Sequence, residues 1–269
     1  MQRHFFDVDD INLSEFASLC SQTVSLEDYN FSSDIKQRVV IYEGDNIRSL
    51  ISTPQALDLK TELHHCIKEG PGVVVVRQAF QDMKVIDMAT EIFQEIIAEE
   101  KTSDKHRGDH FAKAGENERI WNALQKFCER DTETFIDYYN NPVLCFVTEA
   151  WLGPFFQMTS QVNIVKPGGQ AQKPHRDYHL GFQENSLVSE YPLSVQILSQ
   201  FLTLQESVAH TDMDISSGST MMLPFSHQYP LGYMAWRDSK FIEYFQKHAV
   251  QFALKKGDAV FFSPALFHA

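Results

Sequence analysis

The sequence lacks several features that would place it in common classes of protein. None of its four cysteines forms a Cys-x-x-Cys pair, so neither a zinc site nor a disulfide framework is indicated. No stretch approaches the ~20 apolar residues that span a bilayer. The N-terminus also lacks the apolar core of a signal peptide. These absences predict a soluble, cytoplasmic protein with reduced thiols and no membrane partner.

Positive charge is also scarce, with 23 Lys and Arg against 36 Asp and Glu and a net charge of −13. A nucleic-acid-binding protein normally carries a basic face, and no cluster of Lys and Arg appears here. We therefore expect a small-molecule partner and no nucleic acid. An anionic ligand stays compatible with the acidity, because one local basic pocket is enough to bind it. The oligomeric state cannot be read from the sequence.

The texture of the chain changes along its length. Helical periodicity dominates before Trp151, and short strand-like runs separated by Gly and Pro follow it. This order predicts an α+β protein with a sandwich or jelly roll in its second half. The predicted helices are 14–20, 53–68, 82–100, 118–128 and 132–139, and the predicted strands are 38–42, 73–76, 159–165, 193–204, 219–223, 250–254 and 259–262.

The segment from Lys166 to Asp177 carries the clearest chemical signal. A strand-like run enters it, a Pro/Gly turn follows, and His175-Arg176-Asp177 ends it. Residues i and i+2 of an extended chain point to the same side, so His175 and Asp177 could bind one metal ion. One more histidine would complete a two-His, one-carboxylate triad, which leaves the other positions of an octahedral Fe(II) open.

The His-x-Asp pattern alone is weak, because about 0.7 such pairs are expected by chance in this composition. A second pair, His210-Thr211-Asp212, precedes a run of turn-forming residues and has no strand leading into it. We interpret this second pair as part of a solvated loop that binds no metal. The third ligand candidate is His268, although a lone histidine near an apolar strand is more often a core residue.

Several sequence blocks support the first pair by their order along the chain. They are Gly72–Arg77, Leu152-Gly153-Pro154 with Gln161-Val162-Asn163, His175–His179, Ser217-Gly218-Ser219 with Leu223–His227, and Gly257–His268. Taken together, the five blocks resemble the phytanoyl-CoA dioxygenase family of Fe(II)/2-oxoglutarate oxygenases. One block alone would be unspecific. Five blocks in the family's order make the resemblance specific, and it covers roughly three quarters of the chain.

The resemblance implies a fold and a set of metal ligands. The expected fold is a double-stranded β-helix (jelly roll, cupin-like) with flanking helices over residues 71–269, after an N-terminal extension of residues 1–70. By resemblance, His175, Asp177 and His268 bind Fe(II). An aspartate at position 177 points to hydroxylation, because halogenating relatives have a small residue there.

The resemblance also implies a co-substrate and a reaction. Asn163 matches an asparagine that helps hold 2-oxoglutarate, and O₂ is the other co-substrate. The implied enzyme is a 2-oxoglutarate-dependent dioxygenase that hydroxylates an unactivated C–H bond of a small organic molecule. The alternative is a non-catalytic jelly roll that binds a metal or a ligand. Gln161 and His179 are weaker candidates for contact with the substrate.

The position of the carboxylate anchor departs from the family pattern. In the family, an arginine just beyond the distal histidine pairs with the far carboxylate of 2-oxoglutarate, whereas this sequence ends one residue after His268. We therefore expect a truncated chain with C-terminal strands missing and poor turnover. A basic rim of His106, Arg107, His110, Lys113 and Arg119 is an alternative source of positive charge, with Lys113 or Arg119 as the anchor, although a solvated loop is the other interpretation of this stretch.

Overall fold

The structure is a computed structural model that describes residues 3–102, 117–166 and 172–269. The helices within these ranges are α1 (Leu13–Cys20), α2 (Gly44–Leu50), α3 (Ala56–Lys68), α4 (Met83–Thr102), α5 (Ala123–Arg130), α6 (Thr132–Tyr139), α7 (Pro142–Leu152), α8 (Asn185–Val188), α9 (Leu193–Ser199), α10 (Gly232–Ala235) and α11 (Ser239–His248). The strands there are β1 (Asp34–Lys36), β2 (Val39–Glu43), β3 (Val73–Arg77), β4 (Asn117–Ile120), β5 (Val162–Val165), β6 (Gln205–Val208) and β7 (Ala259–Phe262).

Five strands form a mixed sheet in the order β1-β2-β3-β7-β6. Strands β2 and β3 are parallel, and the other neighbours are antiparallel. All four residues of β7 are buried, as are the first four of β3. A strand buried on both faces has no polar side, which is why both strands are continuous apolar runs in the sequence.

The two faces of this sheet pack into different cores. On one face Val74, Val76 and Phe261 pack with residues of α3, α4 and α7. On the other face Val75, Val260 and Phe262 pack with Leu266. Successive side chains of a strand alternate between faces, so neighbouring residues of β6 and β7 serve different cores. This alternation decides which side chains of β6 reach the candidate site.

A second, two-stranded sheet joins β4 to β5. Arg119 lies opposite Asn163 in this antiparallel pair. Directly opposed residues of an antiparallel pair point to the same side, within reach of each other. The pairing thus brings a cation beside the asparagine that was predicted to help hold 2-oxoglutarate.

Several predicted elements are confirmed, and others are wrong. Helix α6 has the predicted bounds, and β3 and β7 lie where the β-branched and apolar runs placed them. The predicted strand 193–204 is instead helix α9 followed by a turn, and β6 begins only at Gln205. Pro192 caps this helix, and the Gln196 side chain donates to the carbonyls of Val188 and Tyr191, contacts that strand periodicity does not reveal.

Two other predicted strands and one predicted helix also need correction. The runs at 219–223 and 250–254 contribute isolated bridges, Met222 with Val250 and Met213 with Leu254, rather than regular strands. The helix predicted at 118–128 begins only at Ala123, after strand β4. Within the described ranges, no helix is long and apolar enough to cross a membrane.

Candidate metal centre

Two chain segments distant in sequence meet at the His-x-Asp motif. His175 and His268 form an antiparallel bridge in which each backbone N–H donates to the other's carbonyl, at 2.9 and 3.1 Å. The N–H of Asp177 donates to the carbonyl of Pro264 at 2.9 Å. On its other side His268 forms a bridge with Met222. The backbone therefore fixes the relative positions of all three predicted ligands.

Their side chains converge on one point. Each of His175, Asp177 and His268 offers one ligand atom within 4.8 Å of the others. Nε2 of His268 lies 3.2 Å from Oδ2 of Asp177, and Nε2 of His175 lies 3.6 Å from Oδ1. The side chains are 19%, 17% and 7% exposed for His175, Asp177 and His268. The cluster is thus mostly enclosed, and its side chains keep only a small exposed fraction.

Backbone carbonyls select the tautomer of both histidines. Nδ1 of His175 lies 2.7 Å from the carbonyl of Lys173, and Nδ1 of His268 lies 2.8 Å from that of Leu266. A carbonyl oxygen only accepts hydrogen bonds, so each Nδ1 carries the proton. Both Nε2 atoms then present a lone pair toward the cluster. Fixing the tautomer through the other ring nitrogen is the usual arrangement around metal-binding histidines.

The electrostatics of the cluster favour the protonation states that metal binding needs. The pKa of His175 is lowered to about 4, chiefly by burial and in part by the nearby His268, while Asp177 opposes the shift. Burial alone would raise the pKa of Asp177, but its contact with the His268 imidazole, the proximity of His175 and the hydrogen bond from Gln205 bring it down to about 2. Near neutral pH the imidazole of His175 is neutral and the carboxylate is ionised, as ligands must be.

The donor set fits a divalent first-row metal. Two imidazole nitrogens and one carboxylate oxygen suit iron, cobalt, nickel or zinc, whereas calcium and magnesium prefer oxygen ligands. Three protein ligands on one side leave room for further ligands on the other. The geometry therefore matches the predicted triad, although the metal-binding role itself stays a prediction.

Comparison with known proteins identifies the family. A family model described as phytanoyl-CoA dioxygenase (PhyH) matches residues 63–269, well over half of the chain. The chain belongs to this family. A search of curated proteins gives no match.

Solved structures are also similar to this chain of the phytanoyl-CoA dioxygenase family, but more distantly. The non-heme alpha ketoglutarate dependent epimerase SnoN from nogalamycin biosynthesis is 16% identical, with a TM-score of 0.51 over 80% of this chain and 76% of that chain. A hypothetical protein from Escherichia coli is 13% identical, with a TM-score of 0.50 over 97% of this chain and 72% of its own. At these identities the likeness shows a shared fold.

Gln205 is a contact of the family's metal motif that the sequence did not predict. Its Nε2 donates to Oδ2 of Asp177 at 2.5 Å. The residue begins β6, just beyond the run 193–204 that was interpreted as a strand, and it lies opposite Phe262 in the sheet. Phe262 in turn packs edge-on against His268, with ring centroids 5.0 Å apart. No local sequence pattern marks such a contact, because it depends on the pairing of β6 with β7.

Arg176, between two predicted ligands, points away from them into the protein. Its side chain is only 2% exposed, and burial lowers its pKa to about 10. Nη2 donates to the carbonyls of Ser226 and Tyr229 at 2.6 and 3.2 Å. The guanidinium also lies over the rings of Tyr233 and Phe267. Arg176 therefore ties the metal motif to the Leu223–His227 block that the family resemblance singled out.

One aromatic side chain, that of Trp236, lies beside His175. The ring of Trp236 lies 6.5 Å from that of His175 in an edge-on arrangement. The guanidinium of Arg237 stacks on Trp236 at 3.8 Å and donates to the Gly181 carbonyl. The Trp236 indole N–H is buried and has no acceptor among the residues that the structure describes. The sequence analysis did not single out Trp236 as a site residue.

The other predicted site residues have different surroundings. Asn163 is exposed on β5 and accepts a hydrogen bond from Nε of Arg119 at 2.5 Å. The positive charge of Arg119 is among the influences that lower the pKa of His175, so Arg119 acts on the triad. Gln161 is exposed at the entry to β5. The other members of the predicted basic rim, His106, Arg107, His110 and Lys113, lie outside the described residues.

His179 does not extend the metal motif as a strand would. The chain turns at Tyr178 and His179, so strand alternation does not apply there. Nδ1 of His179 instead lies 2.9 Å from the hydroxyl of Ser199. Its predicted contact with the substrate stays a prediction.

The second His-x-Asp pair separates into two unrelated environments. His210 is not solvated as predicted: its ring nitrogens lie 2.8 Å from the hydroxyls of Thr90 and Tyr138, and burial lowers its pKa to about 4. Asp212 is exposed and pairs with Lys255 at 2.7 Å. The turn-forming residues after the pair suggested a solvated loop, and the sequence did not indicate that helices α4 and α6 enclose His210.

Proposed function

We propose that the protein is an Fe(II)- and 2-oxoglutarate-dependent dioxygenase that hydroxylates an unactivated C–H bond of a small organic molecule. The observation that carries the proposal is the convergence of His175, Asp177 and His268 within 4.8 Å, in a chain of the phytanoyl-CoA dioxygenase family. The proposed framework is a jelly roll of residues 71–269 after an N-terminal extension of residues 1–70.

The three residues would hold the iron through both Nε2 atoms and a carboxylate oxygen. With 2-oxoglutarate and O₂, bound Fe(II) supplies the oxidising chemistry, in which the co-substrate is converted to succinate and CO₂. The protein's own contribution is to keep His175 and Asp177 deprotonated and to hold all three ligands in place. The Nδ1–H groups of His175 and His268 donate to the carbonyls of Lys173 and Leu266, which orients the imidazoles, and the Gln205 amide orients the carboxylate.

Positive charge for the co-substrate would come from the β4–β5 pair. Arg119 already donates to Asn163, and its charge acts on His175. A guanidinium has five N–H donors in a planar fork that matches a carboxylate. We therefore assign Asn163 and Arg119 to the binding of 2-oxoglutarate.

The substrate would lie against the ring of Trp236. Trp236 offers an apolar ring near His175 together with a buried indole N–H. A mostly apolar pocket with a few fixed polar groups is typical of sites for small molecules. Gln161 and His179 are the further candidates for contact with the substrate.

The test is succinate release by the full chain with Fe(II), 2-oxoglutarate, ascorbate and O₂. We expect slow release without substrate, and loss of that release in His175→Ala, Asp177→Ala and His268→Ala. His248→Ala, an exposed histidine at the end of α11, is the matched control. Metal binding without any succinate release would instead support a non-catalytic metal-binding protein and overturn the enzymatic proposal.

A further inference from the structure

Gln205 contacts the proposed metal centre directly without being one of its ligands. Its Nε2 donates to Oδ2 of Asp177 at 2.5 Å. The same oxygen lies 3.2 Å from Nε2 of His268, while Oδ1 lies 3.6 Å from Nε2 of His175. The amide thus acts on one oxygen of the carboxylate and leaves the other turned toward His175.

The sheet determines where this amide lies. Gln205 pairs with Phe262 in the β6–β7 register, and directly opposed residues point to the same face. Phe262 packs against the His268 ring, so the face that carries Gln205 is the face of the triad. The next residue, Glu206, points to the opposite face. Strand geometry therefore holds Gln205 against the site more firmly than a loop would.

The other end of the amide does not explain the orientation of Gln205. Its Oε1 is buried and has no hydrogen-bond donor within the described ranges. Burying an amide without satisfying it costs free energy, so an apolar residue would suit this position better if only packing mattered. Among the described residues, Asp177 is the hydrogen-bond partner of the Gln205 side chain.

We infer that Gln205 is a positioning residue of the metal centre, one that fixes the rotation of the Asp177 carboxylate and so sets the affinity and geometry of the bound ion. This inference rests on the proposed metal-binding role of the triad. A carboxylate turns about a single broad torsion, so a fixed donor on one oxygen restricts which oxygen faces the ion. Partners of this kind typically change metal affinity 10–100-fold when removed.

The experiment is titration of the full chain with Co(II), read by calorimetry and by the visible d–d absorption of the bound ion. We expect Gln205→Leu to weaken the Kd for Co(II) about 10–100-fold and to shift the d–d bands, because the freed carboxylate changes the coordination. Gln205→Asn keeps an amide that is one methylene too short, and it should weaken binding in the same direction. This variant decides the question if the leucine variant does not fold.

Gln196→Leu is the matched control. Gln196 is a fully buried glutamine whose side chain donates to the backbone carbonyls of Val188 and Tyr191 rather than to a ligand. It should keep the wild-type Kd and spectrum. Wild-type binding and spectrum in Gln205→Leu, or an equal loss in Gln196→Leu, would overturn the inference. A wild-type chain that binds no Co(II) would instead refute the metal centre itself.

Discussion

His175 and His268 are a backbone pair: each donates its N–H to the other's carbonyl, and their rings lie 4.4 Å apart. The main chain therefore sets the separation of the two imidazoles. A site assembled in this way needs little rearrangement to accept an ion, and less ordering on binding means higher affinity.

Metal should stabilise the folded chain. A ligand that binds only the folded state adds about 2.7 kcal/mol at 100 times its Kd. We expect Co(II) to raise the Tm of the wild-type chain by several degrees, as measured by calorimetry. The increase should disappear in His175→Ala and in His268→Ala and persist in His248→Ala. An equal increase in all four proteins would place the bound metal elsewhere.

Arg119 should contribute to the binding of 2-oxoglutarate. A hydrogen bond to a charged group is worth about 1.5–3 kcal/mol, which corresponds to a tenfold to hundredfold change in affinity. We expect Arg119→Ala to raise the KM for 2-oxoglutarate by that factor in the succinate assay, while the Co(II) Kd changes little. Arg130→Ala, at an exposed ion pair with Glu99, is the control. An unchanged KM in Arg119→Ala would remove Arg119 from the proposed site.

The second His-x-Asp pair should bind no metal. Asp212 pairs with Lys255 on the surface, and His210 is bound between two hydroxyls. We expect Asp212→Ala and His210→Gln each to keep the wild-type Kd for iron. His210→Gln should lower the Tm, because it disturbs buried hydrogen bonds. Loss of bound iron in either variant, with the fold intact, would contradict this assignment.

Glu206 should make stability depend on pH. Burial raises its pKa to about 7, although a hydrogen bond from Thr148 opposes the shift. Because the folded pKa exceeds the ordinary value of about 4.5, the folded state binds the proton more tightly, and stability from this group falls as pH rises from about 4.5 through 7. At pH 8 the fold must bury an ionised carboxylate.

Replacing Glu206 by Gln should therefore stabilise the metal-free chain at pH 8, by up to about 3 kcal/mol, and have little effect near pH 4.5. Denaturant unfolding at the two pH values measures the difference. Glu243→Gln, at an exposed position on α11, controls for the loss of a carboxylate. A stabilisation of the same size at both pH values would rule out ionisation of Glu206 as the cause.

The sequence predicted the triad because its signal is local and periodic. Two residues apart on an extended chain, His175 and Asp177 share a side, and the matching blocks supplied His268. Gln205 could not be predicted in this way, since its contact depends on the register of β6 against β7. For the same reason the mixed sheet, with two strands from the first 70 residues, was not predicted.

Errors in the predicted elements have a common physical origin. The run after Pro192 alternates apolar and polar residues like a strand, yet hydrogen bonds from Gln196 to two preceding carbonyls accompany a helix. His210 looked solvated because turn formers follow it, whereas α4 and α6 provide its partners. In each case contacts between distant segments outweighed local propensity.

The buried guanidinium of Arg176 means that neighbouring residues of the short block His175-Arg176-Asp177 serve two different purposes, metal binding and stability. His175 and Asp177 face the proposed ion, whereas the side chain of Arg176 holds the chain to Ser226 and Tyr229. A library of variants scored for both cellular abundance and metal content would separate these two roles. Substitutions at Arg176 should deplete the protein itself, whereas those at its two neighbours should leave abundant protein without metal.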